Sequence, residues 1–508
     1  MKTRILATVL LLVALVIYGR EQKDEPAVEF KKWTLDEAMA QLRLYPNDSY
    51  LQYVAMMLAR NQNRTDEVAA EIERMLNRTD EAVGRREQVD LFSIFTGALA
   101  VQESLQLDTM RGGRRERQLR PFEEKRPLTK DGGVPQPQAS RPEREAGHVP
   151  VASLTGPTVK SHPWEQMLAG KRPEISGLAR SVPDDFYFVD FHSVAKMLEA
   201  MEISDLWGTH LFNQAVGDAR TQKVGERLKA QLAIEATPLL RPFYDLVVSE
   251  AAVTGSDLFL REGSDVTLLF RFKQPELFRA RMDSFLANAQ RAHPSAEKKS
   301  GKYLGIEYVH LGTPDRELNV YSAYLAPDLH VRSNSLIGLR RVLEAVQGKT
   351  ADGQPVRRLG DTAEFAYIRT LLPQGAKEED GLIYLSDPFI RKLVGPQLKL
   401  TERRRMLCYN NLRMIGHAAL LFRTEHERSA QSLAELIKAG CCPGPFNDGS
   451  LRCSDGGAYT LSHDGMTGVC SQHGHAHFLT PCCENPVTQV TKPEADEYRN
   501  FLQEYNQY

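Results

Sequence analysis

Val266-Thr-Leu-Leu-Phe-Arg-Phe272 is followed by Pro275 and a helical stretch reaching about Ala289. The first run is rich in branched and aromatic side chains, which suit a strand. Proline is favoured in the first turn of a helix, where its missing N–H would be unpaired anyway. Downstream, Tyr303–His310, Leu318–Leu325 and His330–Ser333 read as three more strands. Ser335–Val346 then reads as a helix, because Leu336, Leu339, Leu343 and Val346 recur every three or four residues. This order of elements predicts an α+β fold: a mainly antiparallel sheet with helices on one face. Upstream, Phe186–Phe191 is an aromatic strand, Ser193–Met201 a helix, and two further helical stretches fill Asp205–Ser249. We assign residues 151–400 to this α+β domain.

Before it lie three segments of different character. Lys2 and Arg4 precede an apolar run from Ile5 to Tyr18, broken only by Thr8. As a helix that run spans roughly 21 Å, short of the roughly 30 Å hydrocarbon core. Residues 1–20 are therefore expected to be a signal or anchor segment. The weak Ile17-Tyr18-Gly19 cleavage context favours a retained anchor over a cleaved signal. Either outcome puts the bulk of the chain outside the cytoplasm, at the cell membrane. Residues 30–108 read as a helical, tetratricopeptide-like module. It opens with a capping box at Thr34-Leu35-Asp36-Glu37, and helices are expected over Tyr50–Arg60, Asp66–Leu76 and Arg86–Leu107. Residues 109–150, with a run of arginines and Pro135, Pro137 and Pro142, have too few apolar side chains to offset chain entropy and read as a disordered linker.

The 64 basic and 66 acidic residues nearly cancel. That balance gives no electrostatic basis for nucleic-acid binding, which needs a basic surface. Phosphate-binding Gly-rich loops, a Gly-x-Ser-x-Gly elbow and His-Glu-x-x-His are absent; His426-Glu427 begins the last, but Ala430 stands where its second histidine belongs. No catalytic, cofactor-binding or metal-ligating residue is assigned on this basis.

All seven cysteines, Cys408, Cys441, Cys442, Cys453, Cys470, Cys482 and Cys483, fall in the last fifth of the chain. In an exported protein such a cluster suggests disulfides, with an odd thiol left over. Around it, Cys408, Leu412, Ile415, Ala419 and Phe422 form one stripe of a helix reaching about Thr424, and Ser432–Ala439 is a second, short helix. Asp464-Gly465 between two strand-like runs signals a hairpin, since both residues tolerate positive φ. His473, His475 and His477 alternate, so on a strand their imidazoles would share one side; with His463 and the thiols they make zinc or copper binding, or thiol redox chemistry, the alternative reading.

The run from Cys408-Tyr-Asn-Asn-Leu-Arg-Met-Ile-Gly-His through Ser432-Leu-Ala-Glu-Leu to Cys453-Ser-Asp-Gly-Gly-Ala-Tyr-Thr-Leu and Cys470-Ser-Gln-His-Gly resembles a pseudopilin globular segment. That resemblance implies a long helix, a short helix and a small hairpin over residues 401–492; a terminal helix over 493–508 follows and reads as truncated. The chain as a whole resembles large exported bacterial proteins that share a domain of unknown function. The resemblance rests on Asp90-Leu-Phe-Ser-Ile-Phe, Ser161-His-Pro-Trp-Glu and Gly381-Leu-Ile-Tyr-Leu-Ser-Asp-Pro-Phe-Ile. It implies an envelope location and no activity. Cys453 and Cys470 are the candidate bridge. If Asp464-Gly465 centres the turn, Cys470 faces about Tyr459, and the chain must bend at Gly456-Gly457 to bring Cys453 close. The expectation is a membrane-anchored, non-catalytic envelope protein with an interaction or structural role. Its protein partners are not named by the sequence. A hydrolase with a site invisible in sequence is a third reading.

Overall fold

The computed structural model describes residues 32–75, 147–203, 224–235, 241–375, 379–442 and 451–506, apart from single positions 47, 66, 73, 261 and 326. The expected anchor, the helix at 86–107 and most of the linker lie outside these residues. Among the described residues no helix is long and apolar enough to cross a membrane.

Along the chain come α1 (Leu35–Leu44), α2 (Ser49–Asn61), β1 (His148–Pro150), α3 (Trp164–Leu168), β2 (Tyr187–Phe191), α4 (Val194–Ile203), α5 (Val224–Gln231) and α6 (Arg241–Val247). They are followed by β3 (Val248–Gly255), β4 (Thr267–Phe272), α7 (Pro275–Ala292), β5 (Glu297–Tyr303), β6 (Ile306–Gly312), β7 (Asn319–Leu325) and β8 (Leu329–Ser333). Next are α8 (Leu336–Gln347), α9 (Ala363–Leu371), β9 (Gly381–Tyr384), α10 (Asp387–Val394), α11 (Pro396–His426) and α12 (Leu433–Lys438). The last elements are β10 (Tyr459–Leu461), β11 (Gly468–Cys470), β12 (Gly474–His475), β13 (Phe478–Leu479), β14 (Gln489–Thr491) and α13 (Lys492–Tyr505).

The α+β class is as expected, and its centre is an eight-stranded antiparallel sheet in the order β5-β6-β7-β8-β4-β3-β2-β9. Helices cover both faces of this sheet, not one. On one face Phe188, Ala252, Leu269 and Val331 pack with Leu339 and Leu343 of α8 and Phe365 of α9. On the other, Ala251, Leu268, Phe270 and Phe272 pack with Met197 and Leu198 of α4 and Phe278, Met282 and Phe285 of α7. Double coverage explains why β4 reads as an almost unbroken apolar run instead of alternating.

Three sequence expectations need correction. Val248–Gly255, expected as helix up to Ser249, is a central strand; its Ala251 and Ala252 favour helix locally but fill the narrow space between two covered faces. Tyr303–His310, expected as one strand, spans a hairpin. Leu304 and Gly305 both take left-handed backbone angles (φ 50° and 81°), the pattern of a tight turn usually marked by Asn-Gly. Its first strand, β5, carries Lys298, Lys299 and Lys302 on the sheet edge, where charge discourages pairing with another chain. The linker boundary also moves, because His148–Pro150 pairs antiparallel with Gln489–Thr491 of β14.

The 31-residue α11 is the axis of the remaining structure. Its stripe of Cys408, Leu412, Ile415, Ala419 and Phe422 is fully buried, as the spacing requires. It shares one core with Leu35, Leu42, Val54 and Ile72 of the N-terminal helices and with Tyr459 and Leu479 of the C-terminal strands. An amphipathic helical pair cannot bury its apolar face alone; here two segments distant in sequence complete each other. The Tyr53 hydroxyl adds a buried hydrogen bond to the Cys441 carbonyl. The expected capping box on α1 forms, with Glu37 N–H donating to Thr34 Oγ1 and Thr34 N–H to Glu37 Oε2. A second, at Thr491-Glu494, opens α13.

Where α11 meets the sheet domain, Glu402, Arg405, Asp257, Glu262 and Asp265 are all buried. Burial pushes Glu402 up to about 7 despite Arg405, and Asp265, beside Asp257, up to about 7 as well. Folded carboxyls with raised values hold protons that the unfolded chain has already lost. Stability is therefore fully present below the ordinary carboxylate range and falls as pH climbs towards 7. We expect thermal stability to drop between about pH 4 and 7, by on the order of 3 kcal/mol per group. Glu402→Gln should flatten part of that slope in a melting series, and an unchanged slope would count against this assignment.

Candidate metal centre

Three separated stretches bring four ligand atoms together. Cys408 comes from the buried stripe of α11. Cys453 begins a tight turn in which its N–H donates to the Gly457 carbonyl at 2.8 Å and Gly456 N–H donates back to its carbonyl at 2.9 Å. The expected bend at Gly456-Gly457 is present, with Gly456 at φ 78°. Cys470 ends β11 opposite Tyr459, the register anticipated from Asp464-Gly465. Three residues later a second tight turn presents His473.

The sulfurs of Cys408, Cys453 and Cys470 and a ring nitrogen of His473 all lie within 4.8 Å of one another, and all four residues are buried. Cys453 Sγ and Cys470 Sγ are 3.7 Å apart, and His473 Nδ1 is 3.6 Å and 3.7 Å from them. A tetrahedral ion with about 2.3 Å bonds to sulfur and about 2.0–2.1 Å to nitrogen has edges of roughly 3.8 Å and 3.5 Å. The three edges among Cys453, Cys470 and His473 match one face of a Cys3His tetrahedron, and Cys408 Sγ lies within 4.8 Å of each of its corners. They are far from the roughly 2.05 Å of a disulfide, so Cys453 and Cys470, the candidate bridge, stand here as two unbridged thiols.

Surrounding groups orient the ligands. His473 Nε2 stands 3.0 Å from Asp455 Oδ2. A proton on Nε2 leaves the Nδ1 lone pair facing the sulfurs, the arrangement that fixes a metal-ligating imidazole. Arg404 donates to Asp455 Oδ1 at 2.8 Å and, through Nη2, to Glu494 at 2.7 Å, tying the site to α13. Gly457 N–H donates to Cys453 Sγ at 3.2 Å, which holds the sulfur inside its turn. Although burial opposes the charge, His473 and Arg404 hold the Asp455 carboxyl below its ordinary value. Burial likewise opposes charge on His473, yet Asp455 and the two sulfurs raise it to about 11. Burial pushes the Cys408 thiol up, while hydrogen bonds from Cys408 and Cys453 hold Cys470 far below the usual thiol range. Cys470 and His473 thus favour a thiolate beside an imidazolium, whose proton a cation can displace.

Gly457 is required for space. A Cβ there would lie 2.6 Å from Cys470 Sγ and 3.0 Å from Cys453 Sγ. Gly457→Ala is therefore expected to lower metal affinity by at least tenfold without removing a ligand. Chelator competition on the folded variant checks this; unchanged affinity would contradict the geometry.

Among the described residues the remaining cysteines and histidines form no second ligand cluster. Cys441 Sγ lies 3.5 Å from Glu425, Cys482 Sγ 3.1 Å from Glu402 and Cys483 Sγ 3.7 Å from Ser335; Cys442 is buried in the α11 core. The expected alternation of His473, His475 and His477 on one strand is broken, because β12 and β13 turn back after His475. His475 and His477 face each other with ring centroids 5.5 Å apart, and His463 is exposed. His426 stacks on Phe422. The sequence signal for this ligand set is Cys470-x-x-His473, a cysteine and a histidine separated by two residues.

No protein-family model, curated protein or solved structure matches this chain.

Proposed function

We propose that this is a zinc-binding protein whose Cys408–Cys453–Cys470–His473 centre is structural. The single observation that carries the reading is the convergence of four buried ligand atoms within 4.8 Å of one another, three of them at the edge lengths of a zinc tetrahedron. Four protein ligands leave no open position for a substrate or activated water, which separates structural from catalytic zinc. Thiolate with imidazole suits zinc, which needs no redox change. Zinc would fasten the segment after α11 back onto that helix, joining Cys408 to Cys453, 45 residues on; β10–β13 are only two or three residues long and too short to hold themselves.

The wider role is that of a non-catalytic structural or interaction protein displayed outside the cytoplasm and tethered by residues 1–20. Supporting this are the basic-then-apolar start of the sequence and the want of any catalytic motif. The order long helix, short helix, small hairpin over residues 401–492 supports reading that module as a pseudopilin-like fold used here for packing. Elemental analysis of the full chain, purified under reducing conditions, tests the central reading: about one zinc per chain is expected. Metal-free protein, or a Cys453–Cys470 disulfide found by mass spectrometry, would overturn it. Asp455→Asn is expected to weaken zinc by 10–100-fold, the usual cost of losing the carboxylate behind a ligating histidine.

A further inference from the structure

On the sheet face covered by α4, α5, α6 and α7 the packing leaves a cavity of about 320 Å³. Its walls include Val194, Leu198, Leu228, Val253, Phe270 and Phe285, and almost all of its lining is apolar. That size falls at the low end of small-molecule sites, roughly 300–1,000 Å³, and an apolar cavity is not one that water fills well. Two cations also border it, Lys229 and Arg281. The Arg281 guanidinium lies 4.5 Å over the Phe285 ring, and its buried Nε has no hydrogen-bond partner. Among the described residues, neither Lys229 nor Arg281 pairs with a carboxylate; Glu235, the acid on the same wall, accepts instead from Asn288 Nδ2 at 2.9 Å.

An apolar space bordered by two unneutralised cations is complementary to a molecule with a hydrocarbon tail and one anionic end. We infer that this cavity binds a medium-chain fatty carboxylate, with the acyl chain between the sheet and α7 and the carboxylate on Arg281 and Lys229. A guanidinium suits a carboxylate because two parallel N–H groups match its two oxygens. Its walls come from residues 194–285, none of which is a ligand of the metal centre.

The test is isothermal titration of the full chain with sub-micellar dodecanoate, decanoate and dodecanol. Saturable, equimolar dodecanoate binding is expected. Decanoate should bind roughly fifteenfold more weakly, since each buried methylene is worth about fourfold. Dodecanol should bind at least tenfold more weakly than dodecanoate, for want of the charge-assisted contact. Arg281→Gln should bring dodecanoate down to the level of dodecanol while leaving dodecanol unchanged, and Leu228→Trp should weaken both by filling the space. Absence of saturable binding to the wild-type chain would overturn the inference, and is the result expected if another part of this chain fills the cavity. Binding indifferent to chain length, or equal for acid and alcohol, would overturn it too. These wild-type comparisons stand even if a variant fails to fold.

Discussion

Replacing Cys470 with serine is expected to take zinc content from about one per chain to near zero. It should also remove on the order of 4 kcal/mol of stability at free zinc a thousandfold above the dissociation constant. The effect is large because Cys470 is the shared vertex: its sulfur is 3.7 Å from both Cys453 Sγ and His473 Nδ1, and it ends the strand that pairs β10 with β12. Losing it would free both tight turns from α11 at once. The surrounding core of Tyr459, Leu479 and the α11 stripe should keep the chain from unfolding completely. The loss should therefore appear as a lower melting temperature and as new proteolysis between residues 443 and 480. A chelator should reproduce the effect in the wild-type protein and have none in Cys470→Ser. A variant that keeps its zinc, or a wild-type melt indifferent to chelator, would count against the centre.

The second large effect is expected at Arg405, which is fully buried and bridges three parts of the chain. It donates to Glu402 on its own helix, to the Gly263 carbonyl in the loop before β4, and to the Thr480 carbonyl at 3.3 Å after β13. Gly263 allows that approach: at φ 130° it takes a backbone angle side chains avoid, and a Cβ would sit 2.6 Å from the Leu479 carbonyl. Arg405→Ala leaves two carbonyls unpaired and Glu402 without its cation, and should cost about 3–5 kcal/mol. Because burial already raises Glu402 to about 7, the loss should be smaller at pH 5, where the carboxyl is neutral, than at pH 8. Arg405→Met combined with Glu402→Leu should be milder than Arg405→Ala, since no buried charge is stranded. Denaturant unfolding at both pH values measures this, and a pH-independent cost would show that the ion pair is not its source.

What the sequence made legible follows from how local each signal is. Pro275, Ser335 and the Leu336-Leu339-Leu343 spacing carry their meaning within one helix, and α7 and α8 begin where expected. The α11 stripe and the Asp464-Gly465 turn are equally local, and from them the Tyr459–Cys470 register followed. The strand at Val248–Gly255 was hidden because its alanines are set by the space between two covered sheet faces, a property of tertiary packing. The lysine-rich β5 was hidden because an exposed edge needs no apolar pattern. At the centre itself, Cys453, Cys470 and the glycine bend were legible as a close pair. Cys408 was legible only as a buried thiol, since nothing in a 45-residue separation says that a helix returns to a turn. His473 was read with the wrong partners, because its strand ends within two residues of it.

The most direct test of the zinc centre is X-ray absorption at the zinc edge on the full-length protein purified under reducing conditions. Three sulfur neighbours at about 2.3 Å and one nitrogen at about 2.0–2.1 Å are expected. A first shell of oxygen and nitrogen alone, or protein without metal whose Cys453 and Cys470 are joined to each other, would contradict it.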